Sequence, residues 1–184
     1  MKTLRLIALF FVATLAFSSC ADSDDHDDDH DHEEELITTV TYTLTNGSDV
    51  VTLKFQDLDG EGGQEGITTI SGPLTANTMY TGSIKLLNET ESPAEDITEE
   101  IEEEDDEHEF FFASSITGLS IEKTDEDEDG NPVGLETSLT TGTAGSGSIT
   151  VILKHEPSKP NDGTSASAGG STDVEVTFNN VTVQ

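Results

Sequence analysis

Residues 37 to 55 read ITTVTYTLTNGSDVVTLKF, and this stretch decides the fold. Up to Leu44 it has a period of two: Ile37, Thr39, Thr41 and Thr43 alternate with Thr38, Val40, Tyr42 and Leu44. Such a threonine-rich alternation suits a half-buried strand. Asn46-Gly47 marks a turn, because glycine reaches φ > 0 without a Cβ clash, and Val50 to Phe55 reads as the returning strand. The stretch predicts a β-hairpin.

Outward from the hairpin the same period recurs. Met79 to Leu87 places Tyr80, Gly82, Ile84 and Leu86 on one face. Gly118 to Glu122, Leu135 to Leu139, Ser148 to Leu153 and Asp173 to Val183 are further short strand candidates, with Gly, Asn, Asp and Pro between them. The expectation is an all-β chain: a single Ig-like, Greek-key β-sandwich of six to eight strands over residues 36 to 184. That length suits one domain. With no Trp and only Tyr42 and Tyr80, the core must come from Val, Ile, Leu and the Phe110 to Phe112 run.

One short acidic helix is expected within Ser92 to His108. Ser92-Pro93-Ala94-Glu95 has the form of a capping box with Pro at the first helical position, and Ile97 and Ile101 share a face. The Glu102 to Glu107 run repels itself, so the helix should fray before Phe110. Residues 157 to 171, PSKPNDGTSASAGGS, read as a loop.

The chain carries 39 acidic against 7 basic residues, a formal charge of −32. Such a surface repels nucleic acid and anionic lipid headgroups and favours cations, basic protein surfaces or neutral glycans. The carboxylates are clustered, with ten in residues 21 to 35, thirteen in 89 to 109 and six in 122 to 129. These three blocks carry most of the charge.

The most specific motif is Asp125-Glu126-Asp127-Glu128-Asp129-Gly130-Asn131-Pro132-Val133-Gly134-Leu135-Glu136. It fits D-x-D-x-D-G, five residues, then Glu. Asp125, Asp127, Asp129 and Asn131 at alternate positions can converge on a hard cation, Gly130 permits the tight turn, and Glu136 can close the shell. Pro132 and strand-favouring flanks depart from an EF-hand, which leaves a Ca²⁺ turn between strands or a merely solvated turn. A shorter copy, Asp57, Asp59 and Glu61, follows the second strand and is compatible with either reading.

Residues 21 to 35, ADSDDHDDDHDHEEE, contain no apolar residue beyond Ala21 and should form a disordered tether. His26, His30 and His32 within it could wrap a borderline ion such as Zn²⁺, Cu²⁺ or Ni²⁺, or serve only as polar spacer. His108 and His155 each stand beside a glutamate and read more readily as surface or satisfied core residues than as ligands.

Residues 1 to 19 have the organisation of an export signal. Lys2 and Arg5 precede an apolar stretch from Leu6 to Phe17, too short for the ~20 residues that span a bilayer, and Ser18-Ser19 lead to Cys20. The segment reads as a lipobox with lipid attached at Cys20, which accounts for the chain's one thiol and leaves no disulfide framework. No nucleophile elbow, phosphate loop or H-E-x-x-H motif occurs, so no enzyme is expected.

Phe17-Ser18-Ser19-Cys20 and the acidic run beginning at Ser23-Asp24-Asp25 resemble the signals of Bacteroidota lipoproteins sent to the outer face of the outer membrane. With EEELITTV, LLNETESPAEDITEEIEEE, DEHEFFF, DGNPVGL and LKHEP, nearly the whole chain is similar to a family of flavobacterial lipoproteins. Their usual label invokes the type 1 periplasmic binding fold, a larger two-lobed α/β structure whose alternating helices and strands this sequence lacks. The resemblance implies an outer-membrane lipoprotein at the cell surface, or otherwise on the periplasmic face. The resulting expectation is a membrane-anchored, divalent-cation-binding or accessory module, partnered by an outer-membrane transporter or a surface glycan. The alternative is a structural or adhesive module whose calcium loops only rigidify it.

Overall fold

The hairpin forms as its pattern demands in the computed structural model, which describes residues 35–59 and 65–184. β1 (Thr39–Asn46) pairs antiparallel with β2 (Asp49–Gln56) in unbroken register from Thr39↔Gln56 to Asn46↔Asp49. Gly47, at φ +59°, occupies the first of the two central turn positions, where primed hairpin turns require φ > 0. The alternation is carried into space as well: Val40, Tyr42 and Leu44 are fully buried.

Two antiparallel sheets make an all-β sandwich. The larger runs β3 (Ile67–Ile70), β2, β1, β4 (Met79–Leu87), β7 (Glu136–Thr140), β6 (Ser120–Lys123). The smaller runs β5 (His108–Ser114), β8 (Gly145–His155), β9 (Ser171–Val183). After β4 the chain leaves the larger sheet for β5 and returns to it as β6 and β7. One apolar core lies between the sheets, with Tyr42, Leu53, Tyr80 and Leu139 from one side and Phe110, Leu153 and Phe178 from the other. The described residues belong to one compact unit. No helix among the described residues is long and apolar enough to cross a membrane.

Nine strands are described where six to eight were expected. β3 was missed because it is a short edge strand, exposed at Ile67, Thr68 and Thr69, with no alternation of burial to betray it. β5 was missed because it starts directly after the acidic run. Its first four residues are buried on both faces, which gives a continuous rather than an alternating pattern.

The helix is shorter than its expected range. α1 (Ile97–Glu103) is capped by Asp96, whose side chain accepts from Thr98 N–H, and the box beginning at Ser92 does not cap it. Glu95 is held elsewhere: its backbone exchanges two hydrogen bonds with Asn88, and its carboxylate accepts from Asn88 Nδ2 at 3.1 Å. Ile97 and Ile101 do share the buried face. Within the predicted loop of residues 157 to 171, Ser165–Ala168 closes one helical turn, α2.

Gly82 shows how tightly the core is set. A Cβ there would lie 2.7 Å from the Tyr42 ring and inside the Thr137 hydroxyl to which Tyr42 OH bonds. Gly82→Ala should therefore destabilise the fold by about 1–3 kcal/mol through overpacking, read as a shifted urea midpoint at unchanged slope.

Candidate metal centre

His108 opens β5 and His155 closes β8, and the two are direct partners in the antiparallel register. Each continues the inward face of its strand: Val151, Leu153 and His155 alternate on β8, as His108, Phe110 and Phe112 do on β5. The core therefore ends in two imidazoles, 0% and 6% exposed, stacked with ring centroids 4.7 Å apart at 20°.

Glu35 enters from the segment before β1. Its Oε1 lies 3.5 Å from His108 Nε2, with 9% of the glutamate side chain exposed. One atom from each of Glu35, His108 and His155 lies within 4.8 Å of the others. The His108 tautomer follows from its other nitrogen. Nδ1 is 3.0 Å from the Glu104 carbonyl at the end of α1, and a carbonyl can only accept, so Nδ1 carries the proton.

In the neutral ring, Nε2 then presents a lone pair to a carboxylate. Nε2 makes no hydrogen bond, and neither does the buried Oε2 of Glu35. A proton on Nε2 or a metal ion between the two groups would satisfy both. Burial works against charge on His108. Even so, the Glu35 carboxylate, the Glu104 carbonyl and the charge of Asp173 hold its pKa above the usual imidazole value. His108 in turn holds the Glu35 carboxyl below the ordinary range.

Asp173 reaches this corner because the β8–β9 register slips between Leu153 and Lys154, leaving it outside the ladder. Bulges of this kind re-aim side chains toward functional corners. On the solvent side, Glu107 Oε2 lies 3.6 Å from His155 Nε2, and Glu107, His155 and Glu156 form a second group with ligand atoms within 4.8 Å.

The acidic turn is built differently. Asp125 accepts from the N–H groups of Gly134 and Leu135, both at 2.8 Å. Asp127 accepts from Asp129 N–H, from Asn131 N–H and Nδ2, and from the Lys159 ammonium at 3.2 Å. Gly130 turns the chain at φ +81°, as its place in the motif requires. Asp129 and Glu136 stand exposed, and Glu136 opens β7 with its carboxyl pushed up by burial and by Asp125 and Glu102. Val133 and Leu135 plug into the core from the same turn. Asp125, Asp127, Asp129 and Glu136 do not converge as one group; the described His, Asp and Glu side chains that do are the two groups that share His155.

Asp57 and Asp59 lie just past β2, where Asp57 N–H bonds the Thr38 carbonyl. Glu61, the tether histidines His26, His30 and His32, and the lipid-attachment residue Cys20 lie outside the described residues. His108 and His155, read from the sequence as surface or satisfied core residues, are core residues that the β5–β8 pairing brings together. The phase of Val151, Leu153 and His155 was the signal that could have found it.

Two aspartates, Asp127 and Asp96, contribute to the acid limit. Burial disfavours the charge of Asp127, but the Asn131 and Lys159 donors outweigh it and hold its carboxyl below the ordinary 3.8. Asp96 is lowered from the same value, chiefly by Lys85. Groups that ionise more readily when folded stabilise fully above their unfolded pKa and lose that contribution as pH falls through the folded one. The melting temperature should therefore be no lower at pH 5 than at pH 7 and should fall steeply below about pH 4.

No protein-family model, curated protein or solved structure matches this chain.

Proposed function

We propose that this chain is a membrane-anchored module that captures one divalent transition-metal ion, Zn²⁺ or Cu²⁺, between His108, His155 and Glu35. The observation that carries the reading is the buried His108 Nε2, which has no hydrogen-bond partner and faces a carboxylate oxygen at 3.5 Å. That gap is longer than the 2.7–3.2 Å of an N–H···O hydrogen bond. It is close to the edge of a tetrahedron with metal–ligand bonds of ~2.05 Å, about 3.3 Å. The Nδ1–H bond to the Glu104 carbonyl is the outer contact that fixes a metal-binding imidazole in its tautomer.

Two imidazoles and a carboxylate suit zinc or copper, whereas calcium takes six to eight oxygens. Three protein ligands leave a fourth position open, as in sites that exchange what they hold. Calcium has no part in this reading, because at the Asp125–Glu136 turn it would have to displace N–H donors and the Lys159 ammonium. The anchor rests on the lipobox before Cys20, and the surface location on the acidic run after it.

Calorimetry with ZnCl₂ and CaCl₂ on the full chain carrying His26→Asn, His30→Asn and His32→Asn tests the reading without interference from the tether. The expected result is one zinc bound per chain, with Kd on the order of 1 μM, and no calcium at that concentration. Zinc binding that vanishes with the tether histidines, or calcium binding at micromolar concentration, would overturn it.

A further inference from the structure

The inner ligand set is largely withdrawn from solvent: the His108 side chain is 0% exposed and the Glu35 side chain 9%. A hydrated ion cannot enter such a place whole and must exchange its waters for protein ligands in steps. The outer group offers the first step. Glu107 has 41% of its side chain exposed and Glu156 is exposed, so both meet solvent. His155, 7% exposed by side chain, belongs to both groups.

The outer carboxylates are held side by side by the backbone. Glu156 N–H donates to the Glu107 carbonyl at 2.7 Å, and these two residues directly flank the paired histidines. Gly170 packs against the backbone of His155 and Glu156 so closely that a Cβ there would lie 2.9 Å from the Glu156 carbonyl carbon. The corner is therefore braced, and an ion moving from outer to inner group keeps one imidazole and changes only its other ligands.

We infer that Glu107 and Glu156, with His155, form the loading position through which a divalent transition-metal ion reaches and leaves the buried Glu35–His108–His155 site. This rests on the proposed metal-binding function, and it adds the route. The fully buried His108 Nε2, which has no hydrogen-bond partner and lies 3.5 Å from Glu35 Oε1, supplies the inward pull that makes the outer group a way station. Carboxylates at the mouth also raise the local cation concentration, which is worth 10-fold or more in association rate.

Cobalt(II) is a suitable probe, because its visible bands report nitrogen and oxygen ligands in a tetrahedral site. The experiment is stopped-flow loading and chelator-driven release of Co²⁺ on the full chain with His26, His30 and His32 replaced by Asn. Glu107→Gln/Glu156→Gln is compared with Glu126→Gln/Glu128→Gln, which removes the same charge from exposed residues elsewhere. Loading and release should both slow by at least about 10-fold in the first pair and by less than about 2-fold in the second. Because both directions use the same route, the dissociation constant should move far less than either rate. Equal rates in the two pairs would overturn the inference, as would a weakened affinity at an unchanged loading rate, which would make Glu107 or Glu156 a resident ligand. If the parent chain binds no cobalt, the metal-binding reading itself fails and the route with it.

Discussion

Asp127→Ala is expected to destabilise the chain by about 3–5 kcal/mol in calcium-free buffer, the scale on which removal of one partner strands a buried charge. The Asp127 side chain is fully buried and the Lys159 side chain is 7% exposed. Lys159 keeps the Asp105 carbonyl but loses its counter-ion. The N–H groups of Asp129 and Asn131 lose their acceptor at the same time. The variant also loosens the turn that carries Val133 and Leu135 into the core. Adding Lys159→Met to Asp127→Ala should recover part of the loss, because the orphaned ammonium is gone, and a double-mutant cycle in urea reads the difference. If Asp127 acted through a bound calcium, the loss would appear only when calcium is present and Lys159→Met would recover nothing.

The second large effect concerns zinc. His108→Gln should weaken zinc binding at least about 100-fold, which is roughly 2.8 kcal/mol at 1.4 kcal/mol per tenfold change. Zinc protects the folded state alone, so 100 Kd of free zinc should add about 2.7 kcal/mol to the stability of the parent and nearly nothing to the variant. His155→Gln should match it, and the double variant should lose little more, because one missing imidazole already breaks the set. Both variants are expected to fold, since glutamine retains a polar group toward Glu35. Thermal unfolding without zinc checks this directly.

The fold was readable because its signals are local. A period of two over residues 37 to 44, a turn at Gly47 and a second alternation over Met79 to Leu87 each concern neighbours in sequence, and β1, β2 and β4 follow them closely. β5 was hidden by a competing local signal, since the acidic run before it reads as a fraying helix. Its burial on two faces depends on distant residues: Lys123 lies 4.3 Å from the Phe111 ring, and Asn161 donates to Glu109 at 2.6 Å.

The candidate centre was less legible, and for a related reason. The Asp125 to Glu136 motif has the spacing of a cation loop, yet spacing cannot reveal that backbone N–H groups and a lysine 32 residues away take up its carboxylates. Glu35, His108 and His155 carry no such spacing, being brought together only by the entry to β1 and the β5–β8 register. Histidine in phase with the buried face of a strand is the local trace such a centre leaves.

X-ray absorption at the zinc edge tests the central claim most directly, on the full chain with His26, His30 and His32 replaced by Asn and one equivalent of zinc. Of the five histidines only His108 and His155 then remain. The account predicts a first shell of two imidazole nitrogens and one or two oxygens at about 2.0–2.1 Å, with the outer-ring scattering of both imidazoles. A shell of oxygens alone, without imidazole scattering, would contradict it.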